Sequence, residues 1–220
     1  MFRVTVTAVL AFGVFLGALA AQDSAAKKDQ KEDEAGFKSL MDGKTYDGWK
    51  IGGPKESWKI EDGAFVANGK ASHLFYVGDE KPFKNFELKV DVMTEPSSNG
   101  GIYFHTKFQD EGFPSAGFET QVNNTYKPDR IKTGSLYQIK NVMDNSPAKD
   151  NQWWTQHIIV KDNKVTVKID GKTVTEYTEE PGKATGRRGA KKLSEGTFAL
   201  QAHDPKSTVR YKNIRVKRLD

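Results

Sequence analysis

The sequence predicts an all-β domain, a jelly-roll β-sandwich of two antiparallel sheets. Apolar and polar residues alternate with a period of two along residues 86–92 and 165–169, which is typical of strands with one buried face. Turn-forming pairs such as Asp62-Gly63 and Asp170-Gly171 separate such runs and suit tight hairpins. No long stretch has a helical period and no segment repeats, so a sandwich is favoured over a propeller or a solenoid.

The last alternating run, residues 209–219, contains an interruption. It begins with Val209 and Tyr211, slips at Lys212 and Asn213, and resumes at Ile214. An extra residue in one strand of an antiparallel pair produces such a slip. We therefore expect a β-bulge at this point.

The first 21 residues have the pattern of an export signal. Arg3 precedes an almost continuous apolar run, which ends in small residues with Ala18 and Ala20 spaced as at a cleavage site. A membrane anchor is the alternative, although the run is short for a bilayer span. No cysteine is present to carry a lipid. We expect cleavage after Ala20 or Ala21, an exported protein that is periplasmic or extracellular, and no transmembrane segment in the mature chain.

Residues 22–36 are charged, mixed in sign and free of aromatic side chains, so they predict a flexible linker. The folded domain is expected over residues 37–220, which is long enough for a core without disulfides. The chain has a net charge of +5, and residues 183–192 are strongly basic. This run predicts a solvated loop, with binding to an anionic envelope polymer as the alternative. Because it lacks interleaved aromatic residues, no nucleic-acid partner is expected.

Three predicted strands place an unusual set of polar side chains on one face. Short or rigid groups stand where an ordinary solvated face has lysine and glutamate, and their fixed donors and acceptors suit a polyhydroxyl ligand. On residues 101–106, 118–123 and 198–203 these groups are Tyr103 and His105; Glu119, Gln121 and Asn123; and Gln201 and His203. For each strand taken alone, the simpler interpretation is an ordinary solvent-exposed polar face. If the three strands are neighbours, their polar faces form one site.

Two consecutive tryptophans, Trp153 and Trp154, begin another predicted strand. Adjacent residues of a strand point to opposite faces, so we expect one ring in the core and the other exposed. An exposed Trp153 beside polar donors would stack on a sugar ring. The alternative is that both rings pack at the strand end.

The usual motifs of catalytic sites are missing. The sequence has no cysteine, no glycine-rich phosphate loop, no G-x-S-x-G elbow and no H-E-x-x-H motif. His105, Glu119 and His203 are candidates to bind a divalent metal cation, or to act as a base and its partner. No other cofactor is indicated by a motif.

Several segments, taken in order, resemble the 3-keto-disaccharide hydrolase family, formerly a domain of unknown function. They are residues 37–49, with Asp42-Gly43 and Asp47-Gly48-Trp49, and residues 58–64, 99–104, 117–122, 134–137, 196–203 and 211–216. The resemblance covers residues 37–219. It implies a concanavalin A-like jelly roll, secretion, and action on glycosides oxidised at sugar carbon 3.

The family motifs carry over onto Glu119, Gln121, Gln201 and His203. Two positions depart from the family pattern. His105 stands where arginine is frequent, and Asn123 stands where aspartate is common. Both departures fall on the predicted site face, so they put the substrate and the activity in question.

The resemblance implies a reaction that starts at carbon 2. A ketone at carbon 3 acidifies the carbon 2 hydrogen, so a base forms an enolate, the glycosidic oxygen leaves carbon 1, and water adds back. We expect His203 or Glu119 as the catalytic base. The residues expected to bind an oxidised glycoside are Tyr103, His105, Gln121, Asn123, Tyr137, Trp153 and Gln201. A non-catalytic carbohydrate-binding module and an envelope interaction protein are the alternatives.

Overall fold

The computed structural model describes Met1 and residues 34–182 and 192–220. Apart from Met1, the predicted signal peptide lies outside these residues, as do most of the predicted linker and of the basic run. The chain divides into two units, Met1–Phe37 and Lys38–Asp220, and the second holds the strands. No helix in the described ranges has the length and apolar character needed to cross a membrane.

Within the described residues, the second unit contains thirteen strands and one short 3₁₀ helix, Lys55–Ser57. The strands are β1 (Lys38–Ser39), β2 (Trp49–Gly52), β3 (Trp58–Glu61), β4 (Ala64–Ala67), β5 (Ser72–Tyr76), β6 (Phe86–Thr94), β7 (Asn99–Thr106), β8 (Phe118–Asn123), β9 (Trp154–Lys161), β10 (Lys164–Ile169), β11 (Lys172–Thr178), β12 (Thr197–Ala202) and β13 (Val209–Arg218).

The strands form two antiparallel sheets. The larger sheet has the order β11-β10-β9-β6-β13-β4-β3, with β1 also paired to β13. The smaller sheet has the order β2-β5-β12-β7-β8. Several neighbours, such as β5 and β12, are far apart in the sequence, as the long crossovers of a jelly roll require. The predicted two-sheet sandwich is confirmed.

The core lies between the sheets and follows the predicted alternation. Phe104 and Phe118 of the small sheet stack with ring centroids 5.3 Å apart, and Phe104 also meets Phe86 of the large sheet at 5.9 Å. The alternate apolar residues of β6 are all fully buried: Phe86, Leu88, Val90 and Val92. Apolar burial on this scale is the main favourable contribution to folding.

The bulge predicted in β13 is also confirmed. Lys212 pairs with Asp91 and Arg215 pairs with Lys89, so three steps along β13 match two along β6. Asn213 lies between them with a φ of 49°, a left-handed conformation that asparagine tolerates.

A long loop, residues 107–117, crosses the outer face of the small sheet. Phe108 packs on Phe75 of β5 with ring centroids 5.5 Å apart, and the Gly53 amide donates to the Asp110 carbonyl at 2.7 Å. Every residue of β7 and β8 is buried, although both strands carry polar side chains on their outer face. The loop thereby helps to turn an outer sheet face into a cleft.

Replacing Phe104 with alanine should lower the free energy of unfolding by about 3–5 kcal/mol, because a fully buried ring is lost from the core. Phe113→Ala is the control, since Phe113 is 52% exposed, and it should cost less than about 1 kcal/mol. Denaturant unfolding measures both changes. Equal losses in the two variants would contradict the assignment of Phe104 to the core.

Candidate functional site

The three strands with polar faces are neighbours in the small sheet, in the order β12-β7-β8. Across β7 and β8, Tyr103 lies opposite Glu119, and Gly101 lies opposite Gln121. On the other side of β7, β12 brings in Gln201. The adjacency on which the predicted site depended is therefore present.

Gly101 leaves the space in which these side chains meet. A Cβ atom at this position would lie 2.5 Å from Glu119 Oε1. Gln201 Nε2 donates to the Tyr103 hydroxyl at 3.0 Å and to Glu119 Oε1 at 3.4 Å. Burial, followed by the nearby Glu119 carboxylate, raises the pKa of Tyr103 well above its usual value of 10.0. Tyr103 is therefore a neutral phenol at physiological pH.

His203 follows β12 and pairs with the next residue. His203 Nδ1 donates to Asp204 Oδ2 at 2.8 Å. Burial alone would raise the pKa of Asp204, but hydrogen bonds from His203, Lys206 and Ser207 hold it below its usual value. Because the carboxylate only accepts, it keeps the proton on Nδ1 and leaves Nε2 as a proton acceptor. The ring lines the cleft.

A carboxylate from the loop after β8 contacts two residues that line the cleft. Asp129 Oδ2 accepts a hydrogen bond from the Tyr137 hydroxyl at 2.8 Å and one from Gln121 Nε2 at 3.4 Å. Burial, together with Asp129, raises the pKa of Tyr137 to about 12. Tyr137 therefore keeps its proton at neutral pH and lines the cleft as a hydroxyl donor.

Two glutamine amides present oxygen atoms that have no hydrogen-bond partner among the residues that the structure describes. The Nε2 groups of Gln121 and Gln201 donate to the carboxylates of Asp129 and Glu119, which fixes the orientation of each amide. Both Oε1 atoms are buried without a partner, as is Asn99 Oδ1, and all three residues line the cleft. A buried acceptor left unsatisfied costs about 1–3 kcal/mol. The cleft therefore suits a ligand that donates several hydrogen bonds.

Two aromatic rings lie at this end of the small sheet, and one of them, Phe113, lines the cleft. His73 of β5 meets Tyr103 edge-on, and it meets Phe113 of the 107–117 loop in the same way, both at 5.4 Å between centroids. Gln109 braces this loop through hydrogen bonds to the carbonyls of Glu111 and Phe113. Phe113 thus offers a half-exposed apolar ring beside the buried acceptors.

The cleft has a volume of about 110 Å³ and is lined by Asn99, Phe113, Glu119, Gln121, Tyr137, Gln201 and His203. Pockets that enclose drug-sized ligands measure roughly 300–1,000 Å³, so this cleft suits a single ring better than an extended chain.

A larger cavity, of about 280 Å³, lies near Tyr76, Thr106 and Phe108. Its Asp79 is already paired with Lys38 and Arg218, and no histidine lines it. We place the site in the smaller cleft, because that cleft holds the histidine–carboxylate pair.

The structure does not place His105 in the cleft, contrary to the prediction, because β7 contains a bulge. Tyr103 pairs with Ala199 and Thr106 pairs with Thr197, so three steps along β7 match two along β12. His105 has a φ of 53° within this stretch. The strict alternation that put His105 on the same face as Tyr103 fails there.

Both ring nitrogens of His105 serve the fold instead. Nε2 donates to the Lys84 carbonyl at 2.9 Å, and Nδ1 accepts from the Ser194 amide at 3.2 Å. The ring lies 5.7 Å from that of Phe86 in the core. Burial lowers the pKa of His105, and the Lys84 carbonyl only partly opposes this.

The metal-binding set predicted from the sequence is not assembled. His105 lies away from Glu119 and His203 for the reason just given. The residues that the structure describes contain no group of three or more His, Cys, Asp or Glu side chains placed to hold a metal ion.

Asn123 supports the fold, contrary to its predicted role in substrate binding. Its Nδ2 donates to the carbonyls of Tyr126, Asp129 and Ile131 at 3.4, 3.0 and 2.9 Å. Its Oδ1 accepts from the Tyr126 amide at 2.9 Å and from Lys132 Nζ at 3.2 Å. Residue 123 ends β8, so the following loop folds over it and occupies its polar atoms.

Trp153 is exposed and Trp154 is buried, as the predicted strand requires. Trp153 does not line the cleft, however. Lys212 of the large sheet lies over its ring, with Nζ 3.9 Å from the centroid. The predicted contact of Trp153 with the sugar is therefore not supported, and Phe113 is the exposed ring at the cleft.

Residues 36–217 match the family described as the 3-keto-alpha-glucoside-1,2-lyase-like domain. The chain belongs to this family. A relative from Bacteroides thetaiotaomicron, named 3-keto-disaccharide hydrolase, is 26% identical over 234 residues, which are 86% of this chain and 80% of the relative. The family that the sequence motifs predicted is confirmed.

Two solved structures share the fold. One, from Parabacteroides distasonis and described provisionally as a glycosyl hydrolase, has a TM-score of 0.71 and 24% identity, covering 86% of this chain and 97% of that one. The carbohydrate-binding module CBM66 from Bacillus subtilis has a TM-score of 0.53 and 12% identity, covering 77% of this chain and 95% of that one. These likenesses support the concanavalin A-like jelly roll.

Sequence reasoning missed five residues in or around the cleft. Asn99 lines the cleft from the start of β7. His73 lies on a strand that is buried on both faces, so no alternation marked it. Phe113 and Asp129 lie on loops, where no period predicts direction. Two of the five residues carried a usable signal. Alternation places Asn99 on the same face of β7 as Tyr103, and Asp204 directly follows His203, where a histidine base often has a carboxylate partner.

The pH dependence of stability should report His73. Burial lowers its pKa from 6.5 to about 4, against a weak opposing effect of the Gly112 backbone. The unfolded chain therefore binds a proton below pH 6.5 that the folded protein takes up only near pH 4. The contribution of neutral His73 to the free energy of unfolding is fully present above pH 6.5. About 3 kcal/mol of this contribution is lost as the pH falls to 4.

His73→Phe should remove that loss, so the free energy of unfolding should fall less between pH 7 and pH 4 than it does in the wild type. Denaturant unfolding at both pH values measures the difference. Identical pH profiles for the two proteins would contradict a neutral buried His73.

Proposed function

We propose that the protein cleaves the glycosidic bond of sugars oxidised at carbon 3, through proton removal at carbon 2, elimination and hydration. Family membership supports this function. The observation that carries it is the His203–Asp204 pair in one cleft with buried, unpartnered amide oxygens. Sugar hydroxyls would donate to those oxygens, and the ketone would make the carbon 2 hydrogen acidic enough for the imidazole.

His203 is assigned as the base in preference to Glu119. Its Nε2 is set up as an acceptor by Asp204, and its side chain is 28% exposed, so a substrate reaches it. Glu119 is buried and accepts a hydrogen bond from Gln201. Its carboxylate is better suited to bind sugar hydroxyls, because charged acceptors form the stronger hydrogen bonds.

The enolate oxygen needs a hydrogen-bond donor, and Tyr137 is assigned this role. Its hydroxyl lines the cleft, stays protonated at neutral pH and is oriented by Asp129. Preorganised donors aimed at a developing oxyanion contribute much of the rate enhancement in many enzymes.

The steps balance without an external oxidant or reductant. The carbon 2 proton moves to His203 Nε2, the bond from carbon 1 to the glycosidic oxygen breaks, and the departing oxygen takes up a proton. Water then adds across the double bond, with hydroxyl to carbon 1 and hydrogen to carbon 2. The ketone at carbon 3 is present at the start and at the end.

Direct hydrolysis by a carboxylate pair is the competing mechanism. Besides Asp204, which pairs with His203, the described residues near the cleft include two carboxylates, Asp129 and Glu119. Each already accepts a glutamine amide, and Asp129 also accepts the Tyr137 hydroxyl. These hydrogen bonds occupy oxygen atoms of both carboxylates, which suits orienting the neighbouring amides and hydroxyl rather than acting as an acid and a nucleophile on the glycosidic bond.

The protein should cleave a 3-keto-glycoside and leave the parent glycoside intact, because only the ketone acidifies the carbon 2 hydrogen. His203→Ala should lower kcat at least about 100-fold. Glu119→Gln should mainly raise KM, by about tenfold, through loss of a charge-assisted hydrogen bond. Chromatography of the products and steady-state kinetics measure these changes, and deuterium at carbon 2 should slow turnover if proton removal limits the rate.

Cleavage of the parent glycoside at a similar rate would favour the carboxylate-pair mechanism. Binding of 3-keto-sugars without turnover, with or without divalent cations, would favour a non-catalytic binding module. The observation behind the binding-module alternative is the fold that this chain shares with the carbohydrate-binding module CBM66.

Phe113→Ala should raise the Kd for the sugar about fivefold, because an aromatic face that packs on a ring contributes about 1 kcal/mol. Phe113→Trp should keep the affinity. Trp153→Ala is the matched control, since it removes an exposed ring outside the cleft and should change nothing. Calorimetric titration measures all three, and a loss confined to Trp153→Ala would reverse the assignment.

A further inference from the structure

A lysine ammonium is enclosed in the loop that follows β8. Lys132 is 5% exposed. Its Nζ donates to Asn123 Oδ1 at 3.2 Å, to the Tyr126 carbonyl at 3.0 Å and to the Asp129 carbonyl at 2.9 Å. All three acceptors are uncharged oxygens, and an ammonium has three donors. Its hydrogen-bonding capacity is therefore filled by the loop itself.

This geometry resembles the coordination of a hard metal cation. Backbone carbonyls and amide side-chain oxygens of a short loop are typical ligands of Ca²⁺. Here the oxygens converge on a cation that belongs to the chain. Asn123 Nδ2 donates to the same carbonyls of Tyr126 and Asp129, so the two side chains together hold the loop closed.

The same loop brings Asp129 against two residues of the cleft, Tyr137 and Gln121. The Asp129 carbonyl accepts from Lys132, while its carboxylate accepts from the Ile131 amide at 2.8 Å and from the Tyr137 hydroxyl at 2.8 Å. A displacement of the backbone at residue 129 would therefore also displace the carboxylate that orients Tyr137 and Gln121.

We propose that Lys132 is a positioning residue that takes the place of a bound metal ion. Its ammonium closes residues 123–133 and thereby sets Asp129 against Tyr137 and Gln121. The effect on ligand binding rests on the proposed function of the cleft, whereas the effect on the loop does not.

Charge-specific rescue of a truncated side chain tests this role. Lys132→Ala removes the ammonium and leaves a slot that n-propylammonium matches in length, while n-propanol matches it without charge. Hydrogen–deuterium exchange of the Tyr126 and Ile131 amides reports loop closure, because both are hydrogen-bonded within the loop. Their exchange should rise at least about tenfold, and n-propylammonium should restore protection where n-propanol does not.

Turnover of a 3-keto-glycoside is the second readout. In Lys132→Ala, KM should rise about tenfold, the effect of losing about 1.4 kcal/mol, and n-propylammonium should reverse it. Lys127→Ala is the control, since Lys127 is an exposed lysine of the same loop, and it should change neither readout. If Lys132→Ala does not fold, Lys132→Met keeps the volume, and it should show the same faster exchange and higher KM without rescue.

Unchanged exchange in a folded Lys132→Ala or Lys132→Met would overturn the proposal, as would equal rescue by n-propanol. A loosened loop with unchanged KM would overturn the link to the cleft and leave the proposed function standing. If the wild type turns over no 3-keto-glycoside while exchange and rescue behave as expected, the proposed function fails and the role of Lys132 in the loop stands.

Discussion

Polar side chains buried on the outer face of a sheet need hydrogen-bond partners, and the cleft depends on how two loops meet that need. The 107–117 loop covers the small sheet and excludes water from groups such as His73 and Gln201. The 123–133 loop brings Asp129 to Gln121 and Tyr137. What these loops leave unsatisfied is a set of acceptors at one place. These unsatisfied acceptors favour a ligand that carries hydrogen-bond donors, because only donors can satisfy them.

Alternation predicted strands well wherever the two faces of a strand meet different environments. On β6 the apolar positions enter the core, and on β13 the pattern located even the bulge at Asn213. On β5 the pattern carried no information, because a loop buries the outer face as deeply as the core buries the inner one. On β7 it failed at His105, where an extra residue turned the side chain away.

The candidate site was predictable to the extent that strands build it. The family motifs marked Glu119, Gln121, Gln201 and His203, and all four line the cleft. Phe113, which also lines the cleft, comes from a loop whose path is fixed by distant contacts such as that between Gly53 and Asp110. Local sequence does not encode such contacts. A relative named as a hydrolase and a carbohydrate-binding module both resemble this chain, so the proposed function rests on the histidine–carboxylate pair rather than on the architecture.

The bulge at His105 separates the part of β7 that contributes side chains to the cleft from the part that lies in the packed interior. Gly117 and Gly196 both pack closely against this bulge. A Cβ atom added at Gly117 would lie 2.7 Å from the His105 carbonyl carbon, and one added at Gly196 would lie 2.6 Å from it. Before the bulge, Asn99 lines the cleft and the Tyr103 hydroxyl contacts Gln201 of the cleft, while Ile102 lies in the core. From Phe104 onwards the described residues of β7 belong to the packed interior. A mutant library intended to change substrate preference should therefore vary only Asn99 and Tyr103 on β7 and keep the rest of the strand, with both flanking glycines, as scaffold.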